Sequence, residues 1–187
     1  MINPFKKFDE LYKEFNKDNK IFISTVGNDN QPTLRIVLLK HYDDNGFIFY
    51  TNKNSIKARN LSENQKIAIL FDWLYADYQI RIEGITKELD YNQVNNYFAT
   101  RPRESQINAW ASKQSNEIND IEELNKKILF FRDKFKNEIT IPCPNYWTGY
   151  CVIPHAFEFW KEGEYRCHYR EKYYLKNNKW HFAILEP

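Results

Sequence analysis

The run Arg35–Lys40, which reads RIVLLK, constrains the fold most, because four branched apolar residues stand between two cations. Such a run predicts a strand that is buried on both faces rather than one face of an amphipathic helix. At about 3.3 Å per residue the cations would lie roughly 17 Å apart and, since their offset is odd, on opposite faces. Two interpretations stay open: the cations mark where the strand meets water, or they hold two anionic groups apart.

The bulk properties of the chain exclude several classes of protein. Its 187 residues suit a single domain over 1–187, and a net charge of +2 without a clustered basic run does not favour a nucleic-acid-binding barrel. Aromatic residues make up 17% of the chain, so large flat side chains are expected in the core, in a ligand pocket or at a subunit interface.

Cysteine and histidine usage predicts neither disulfides nor a metal site. The three cysteines form no CxxC pair, which favours a reducing compartment, and His41, His155 and His181 have no companions at metal-binding spacing. The first residues lack the apolar segment of a secretory signal, and no apolar run approaches the ~18 residues of a membrane span. We therefore expect a cytoplasmic protein without metal or membrane contact.

Hydrophobic periodicity predicts many antiparallel strands with a few helices between them. Apolar residues at helical spacing predict helices over 4–16, 55–61, 90–100, 104–111 and 121–136. Strands are expected over 21–26, 33–42, 47–51, 66–73 and 78–89, and then as short strands from residue 146 onward, broken at Pro154, Gly163 and Asn177. This pattern indicates an α+β, mainly β protein in which helices pack outside a small antiparallel barrel.

The first candidate anion site follows the strand that ends in Tyr50 and Thr51. The helix start at Ser55 presents free N–H groups and a positive dipole end, to which Lys57 adds a charge. Together with Arg35 on a neighbouring strand, these groups could hold one phosphate. An ordinary capped helix is the alternative interpretation.

A second candidate comprises Tyr97, Arg101 and Ser105. A spacing of four puts Tyr97 over Arg101 on one helical face, and Pro102 forces a bend that brings Ser105 back toward them. A phenol, a guanidinium and a hydroxyl at one point would clamp a phosphate, since arginine suits bidentate contacts. A solvated helix end is equally compatible with the pattern.

The third candidate lies near the carboxyl end, where Arg166, His168 and Arg170 alternate. On one strand these side chains would share a face, which is unfavourable unless an anion or an electron-rich ring lies against them. The nearby aromatic residues favour such a site over a merely exposed edge strand.

Taken in order, these segments resemble the pyridoxine (pyridoxamine) 5′-phosphate oxidase family, over about residues 3–187. The segments that carry the resemblance are Arg35–Tyr42 (RIVLLKHY), Phe49–Asn52 (FYTN), Tyr97–Ile107 (YFATRPRESQI), Ala109–Ser115 (AWASKQS) and Glu158–His168 (EFWKEGEYRCH). No single segment is decisive, and their joint occurrence in order is specific. The resemblance implies a split β-barrel homodimer with FMN at the subunit interface, which oxidises pyridoxine or pyridoxamine 5′-phosphate to pyridoxal 5′-phosphate and reduces dioxygen to hydrogen peroxide.

The resemblance also implies roles for individual residues. For FMN it implies contacts from Arg35, Ile36, Val37, Leu38, Lys40, Tyr50, Thr51, Ile56, Lys57, Gln79, Gln114, Ser115, Trp160 and Arg170, some of them from the partner subunit. Residues implied to bind the substrate are Lys40, Tyr97, Arg101, Ser105, Arg166 and His168. Arg166 and His168 would face the pyridine ring as the catalytic residues.

Some positions depart from the family pattern. Ile56 stands where the family usually has an arginine, so weaker FMN binding is expected, and Ile184 also replaces a common arginine. Lys161, Cys167 and Tyr169 differ from the usual residues beside the catalytic pair. A segment that folds over the substrate in longer members is not matched, so a different closure is expected.

Two alternatives to this oxidase are kept. One is another FMN-dependent split-barrel oxidoreductase with a different substrate, which would not need the clamp of Lys40, Tyr97, Arg101 and Ser105. The other is a non-catalytic protein that binds FMN or pyridoxal phosphate, which would keep the phosphate contacts without Arg166 and His168.

Overall fold

The structure is a computed structural model that describes residues 3–187. Its helices are α1 (Pro4–Phe15), α2 (Ile56–Glu63), α3 (Tyr91–Thr100), α4 (Arg103–Ala111) and α5 (Ile121–Lys134). Its strands are β1 (Lys20–Val26), β2 (Pro32–Leu38), β3 (His41–Asp43), β4 (Gly46–Asn52), β5 (Lys66–Trp73), β6 (Tyr78–Glu88), β7 (Trp147–Lys161), β8 (Tyr169–Lys176) and β9 (Lys179–Leu185).

The strands form one antiparallel sheet in the order β2-β1-β5-β6-β7-β4-β3, with β8 and β9 added beside β7. The first half of β7 pairs with β4 and its second half with β8, while β6 follows its other edge. The sheet curls into a half-barrel with helices around it, which confirms the predicted α+β, mainly β architecture. Among residues 3–187, no helix combines the length and apolarity needed to cross a membrane.

Aromatic residues fill the core between α1 and the sheet. Phe8 is fully buried, and its ring centroid lies 4.9 Å from those of both Phe47 and Phe71. Edge-to-face contacts of this kind add to the free energy of burying apolar area. A second cluster, which includes Phe98, Ile107 and Phe135, joins α3, α4 and α5 on the outside of the sheet.

The predicted strand over 33–42 is in fact two strands, β2 and β3. Its hydrogen bonding changes partner at Leu39, whose N–H donates to the carbonyl of Asn19, while the N–H of Lys40 donates to the carbonyl of Ile48. Lys40 therefore lies beyond the end of β2 and belongs to the connection that crosses toward β4. The prediction that Arg35 and Lys40 stand at two ends of one strand, on opposite faces, was wrong.

Burial of β2 on both faces was also wrong. The strand lies at an edge of the sheet, and Leu34, Ile36 and Leu38 are 68%, 52% and 43% exposed in the single chain. The half-buried face instead carries Thr33, Arg35 and Val37. An apolar row exposed on an edge strand is typical of an interaction surface.

The carboxyl-terminal part contains fewer breaks than predicted. β7 runs through Pro154 without interruption, because Pro154 lies opposite Gly84, where the register of β6 shifts. A proline is tolerated at such an irregularity, since no ladder hydrogen bond is required there.

Arg166, His168 and Arg170 do not share one strand, which corrects the prediction for the third candidate. Arg166 ends a 3₁₀ turn over Glu164–Arg166, with a left-handed φ of 67°, and β8 begins only at Tyr169. The turn is tight: a Cβ on Gly163 would lie 2.1 Å from the carbonyl oxygen of Cys167. Residues 163–168 therefore form a compact loop whose shape sets the directions of Arg166 and His168.

Candidate active site

A cavity of about 970 Å³ opens between β2, β4, the first turns of α2 and α4 and the last turn of α3. Its volume is at the upper end of the range for small-molecule sites. The predicted site residues that line it are Arg35, Ile36, Val37, Leu38, Lys40, Tyr50, Thr51, Ile56, Lys57, Tyr97, Arg101, Ser105, Gln114 and Ser115. The first and second candidate anion sites therefore belong to one cavity.

The other predicted residues lie elsewhere. Gln79, Trp160 and Arg170 are cross-strand neighbours on β6, β7 and β8, and the imidazole of His168 lies 4.7 Å from the indole of Trp160. Trp147 at the cavity and Trp160 are thirteen residues apart on the same strand, which corresponds to roughly 40 Å of extended chain. Within one protomer the two groups therefore form separate clusters. We call the predicted residues that line the cavity the phosphate half-site. We call the second group the ring half-site, which comprises Gln79, Trp160, Arg166, His168 and Arg170.

Arg35 and Lys57 form the first cationic pair of the phosphate half-site. Lys57 is only 8% exposed, and its Nζ donates to Thr51 Oγ1 and to Gln114 Oε1, both at 3.3 Å. Burial and the nearby Arg35 lower the pKa of Lys57 to about 8, and burial lowers the pKa of Arg35 as well. Among the described residues no carboxylate pairs with either cation, so their charge stays available for an anion.

The start of α2 contributes its positive dipole end to this cationic pair. Ser55 caps the helix by accepting from the N–H of Ala58, and the N–H of Ile56 donates to Ser115 Oγ at 3.3 Å. These contacts bring the loop after α4 against the helix start and its positive dipole end. Ile56 itself presents an apolar, 42% exposed side chain to the cavity.

Arg101 provides the second cationic point of the cavity. The residue follows α3 in extended conformation, so the predicted helical spacing to Tyr97 does not apply, although both side chains line the cavity. Its Cζ lies 4.1 Å from the ring of Trp147, and burial lowers its pKa. Nη1 of Arg101 is buried without a hydrogen-bond partner among the described residues. A buried orphan donor on a cation fits an anionic ligand, since such groups are otherwise satisfied.

Two tyrosines in the cavity wall are stacked on each other. The rings of Tyr50 and Tyr97 lie 3.8 Å apart and nearly parallel, at 10°. They hold β4 against α3, and both rings line the cavity together with the cationic side chains of Arg35, Lys57 and Arg101.

Sequence reasoning missed some of the residues that line this cavity. Trp147 supports Arg101 through its ring, and its Nε1 is also buried without a partner among residues 3–187. Thr33, Leu34, Thr100 and Pro102 line the cavity too. The one available signal was an aromatic residue at the start of a strand, which does not distinguish a support of the site from a core residue.

In the ring half-site a carboxylate compensates the positive charge of Arg170. Nε of Arg170 donates to Glu158 Oε1 at 2.8 Å, and Arg81 pairs with the same carboxylate, so the position of Arg170 is fixed by charge. His168 Nδ1 accepts from the N–H of Gly163 at 3.4 Å, which leaves its Nε2 to carry the proton of the neutral ring. Arg166 is exposed at the tip of its loop. No cluster of potential metal ligands occurs among the described residues.

Comparison with known proteins places this geometry in one family. A family model described as pyridoxamine 5′-phosphate oxidase matches residues 8–132, and one described as the pyridoxine 5′-phosphate oxidase C-terminal dimerisation region matches residues 147–187. A pyridoxine/pyridoxamine 5′-phosphate oxidase 2 of Hydrogenovibrio crunogenus is 40% identical and covers 99% of this chain and 89% of its own. A pyridoxine/pyridoxamine 5′-phosphate oxidase of Ehrlichia chaffeensis is 41% identical, with 99% and 98% covered.

Solved structures agree in fold. PhzG from Burkholderia lata 383, in complex with tetrahydrophenazine-1-carboxylic acid, is 26% identical, has a TM-score of 0.88 and covers 98% of this chain and 91% of its own. A pyridoxamine 5′-phosphate oxidase-related, FMN-binding protein of Nostoc punctiforme has a TM-score of 0.76 at 13% identity, with both chains covered fully, and so shares the fold. By the extent of both family matches and the identity to full-length relatives, the chain belongs to the pyridoxamine 5′-phosphate oxidase family.

Proposed function

We propose that the chain is an FMN-dependent oxidase that converts pyridoxine or pyridoxamine 5′-phosphate to pyridoxal 5′-phosphate and reduces dioxygen to hydrogen peroxide. One observation carries the proposal: a single cavity holds two separate cationic points, Lys57 with Arg35 and the orphaned Arg101, and neither has a carboxylate partner among the described residues. Two phosphorylated aromatic molecules side by side would satisfy both points. The names of the relatives at about 40% identity support the same substrates.

The phosphate half-site would hold both phosphates. Lys57 and Arg35 would bind that of FMN, assisted by Tyr50, Thr51, Gln114 and Ser115. Arg101, through its free Nη1, would bind the phosphate of the substrate together with Tyr97, Ser105 and Lys40. Orienting two rings in this way removes much of the entropic cost of bringing them together.

The ring half-site would act on the reacting rings. The chemistry that FMN would supply is acceptance of a hydride from the substrate and transfer of the electrons to dioxygen. Gln79, Trp160 and Arg170 would contact the flavin. His168, with its proton on Nε2, would donate a hydrogen bond to the phenolic oxygen of the pyridine ring, and Arg166 would stabilise charge that develops during transfer.

A homodimer would join the two half-sites. Thirteen residues of β7, roughly 40 Å measured along the strand, lie between them in one chain, and no residue of the ring half-site lines the cavity. The match of residues 147–187 to a dimerisation region and the exposed row of Leu34, Ile36 and Leu38 support assembly of each site from two subunits.

The three cysteines are free, which supports the expected cytoplasmic location.

The decisive experiment is anaerobic reduction of the bound flavin. We expect the purified protein, reconstituted with FMN, to show a flavin spectrum that bleaches on addition of pyridoxamine or pyridoxine 5′-phosphate and returns when air is admitted. If the purified protein retains no flavin, the assignment of FMN as its cofactor is contradicted. Bound flavin that neither phosphate bleaches would favour a non-catalytic binding protein.

A carboxylate substrate is the second candidate, because the PhzG structure contains a carboxylic acid and a guanidinium binds carboxylates as well as phosphates. The same anaerobic assay with tetrahydrophenazine-1-carboxylic acid separates the two. We expect bleaching by the B6 phosphates alone. Faster bleaching by the acid would transfer the assignment to another oxidoreductase on this fold.

The affinity for FMN should depend on pH through Lys57. In the free protein the ammonium loses its proton as the pH rises through about 8, and a bound phosphate would raise this pKa again. Binding above pH 8 therefore requires uptake of a proton. We expect the affinity to be flat from about pH 7 to 8 and to fall by up to roughly tenfold per pH unit above that, measured by quenching of flavin fluorescence.

The matched control for the pH effect is Lys57→Met. The variant should bind FMN more weakly at pH 7.5, and its affinity should no longer fall between about pH 8 and 9. An equal fall in both proteins would assign the pH dependence to a group other than Lys57.

A further inference from the structure

Arg35 is held by two hydroxyl groups and, at 3.5 Å, by the carbonyl of Ile23, and by no carboxylate among the described residues. Its Nη1 donates to Thr25 Oγ1 at 2.7 Å, and its Nη2 donates to Thr33 Oγ1. Thr25 and Thr33 are direct cross-strand partners on β1 and β2, and Arg35 lies two residues after Thr33 on the same face. We call these two residues the threonine pair.

Asn60 on α2 fixes the threonine pair from the other side. Its Nδ2 donates to Thr25 Oγ1 at 3.2 Å and to Thr33 Oγ1 at 3.1 Å. A hydroxyl oxygen has two lone pairs, so each threonine accepts one N–H from Asn60 and one from Arg35. The hydroxyl of Thr33 in turn donates to the carbonyl of Thr25 at 3.3 Å. The hydroxyls therefore face the guanidinium with acceptor atoms only.

Neutral acceptors have a consequence for ligand binding that a carboxylate would not have. They fix the guanidinium plane, but they do not neutralise its charge, and the remaining N–H groups of Arg35 stay available to the cavity that it lines. Lys57 is likewise held by neutral acceptors, a hydroxyl and an amide oxygen, so its charge is not neutralised either. Burial of Thr25, which is 2% exposed, keeps water from competing for these contacts.

We propose that Thr33 and Thr25, supported by Asn60, are positioning residues that hold Arg35 in the orientation in which it binds the phosphate of the cofactor. The inference rests on the proposed function, in which Arg35 binds the phosphate of FMN. A merely structural role of the threonine pair, as a link between β1 and β2, would affect ligands with and without a phosphate equally.

The test compares FMN with riboflavin, which lacks the phosphate, in binding titrations with Thr33→Val. Valine is close in shape to threonine, and the exchange removes one acceptor of Arg35. We expect the affinity for FMN to fall by about 5- to 30-fold and the affinity for riboflavin to stay within about twofold. Thr33→Ser, which keeps the hydroxyl, should restore most of the affinity for FMN.

Two further variants provide a control and a second test of the inference. Thr86→Val is the matched control, because Thr86 is a buried threonine that donates to the carbonyl of Gln65 outside the cavity, and it should leave both affinities unchanged. Asn60→Ala removes the support without touching Arg35 and should cause a smaller loss that is again selective for FMN. It also serves if Thr33→Val folds poorly.

The outcomes separate the inference from the proposed function. If the unsubstituted chain binds FMN no better than riboflavin, the cofactor assignment and the inference both fail. If the chain prefers FMN but Thr33→Val behaves like Thr86→Val, or loses both ligands equally, only the inference fails.

Discussion

Replacing Arg101 with methionine is expected to raise the Michaelis constant for pyridoxamine 5′-phosphate by roughly 30- to 700-fold, which corresponds to about 2–4 kcal/mol of lost charged hydrogen bonds. Arg101 is the cationic point with a buried, unpartnered Nη1, and methionine can still pack its aliphatic chain against Trp147. Steady-state kinetics under air measures the effect. Affinity for FMN should change by less than about threefold, because Lys57 and Arg35 remain.

The same substitution should not destabilise the unliganded protein. Burial of a cation without a partner is unfavourable, so its removal should leave the melting temperature equal or higher. Arg103→Met is the matched control: this neighbouring arginine donates to the carbonyls of Glu138 and Phe135 and does not line the cavity. A loss of FMN affinity that parallels the loss of substrate affinity would contradict the division of the cavity into two phosphate points.

Both cationic points show the same physical principle. Arg35, Lys57 and Arg101 contact hydroxyl, carbonyl or amide oxygens or an aromatic ring, and none of them contacts a carboxylate among residues 3–187. In the ring half-site the opposite holds, since Glu158 binds Arg170. A site for dianionic groups must keep its positive charge uncompensated, whereas a residue that contacts an uncharged ring is better held by a salt bridge.

The local elements could be predicted from the sequence where the signal is itself local. Helix α3 begins after Asp90, whose carboxylate accepts from the N–H of Gln93, and it ends before Pro102, as predicted. The hairpin at Asp43–Gly46 is likewise determined by its turn residues, because Gly46 adopts a φ of 144°. Such features depend on neighbours in the chain alone.

The errors concern features that depend on neighbours in space. Four branched residues predict burial, but the place of β2 at the edge of the sheet leaves Ile36 half exposed. Alternation predicted one strand for Arg166 and His168, whereas a tight turn after Gly163 holds them in a loop. The motifs predicted residues that line one cavity, and the resemblance implied that some contacts come from the partner subunit, but the division of the residues between the two groups depends on the length of β7.

Mixed dimers should recover activity that both parent variants lack. We pair Arg101→Met, in the phosphate half-site, with Arg166→Ala, in the ring half-site, and expect each homodimer to have a small fraction of normal activity. Co-expression of the two chains in equal amounts gives about half heterodimers, each with one intact site out of two, and therefore about a quarter of normal activity. Differently tagged chains and tandem purification isolate the heterodimer for assay.

This recovery follows from geometry. If each site takes its phosphate half from one subunit and its ring half from the partner, one site of the heterodimer carries both substitutions and the other carries neither. If each site were contained in one chain, every site would carry one substitution and no activity would return. The control pairs each variant with Arg103→Met, which is outside both half-sites. Absence of recovery in the purified heterodimer would mean that Arg101 and Arg166 act on one substrate within a single chain, and it would contradict assembly of each site from two subunits.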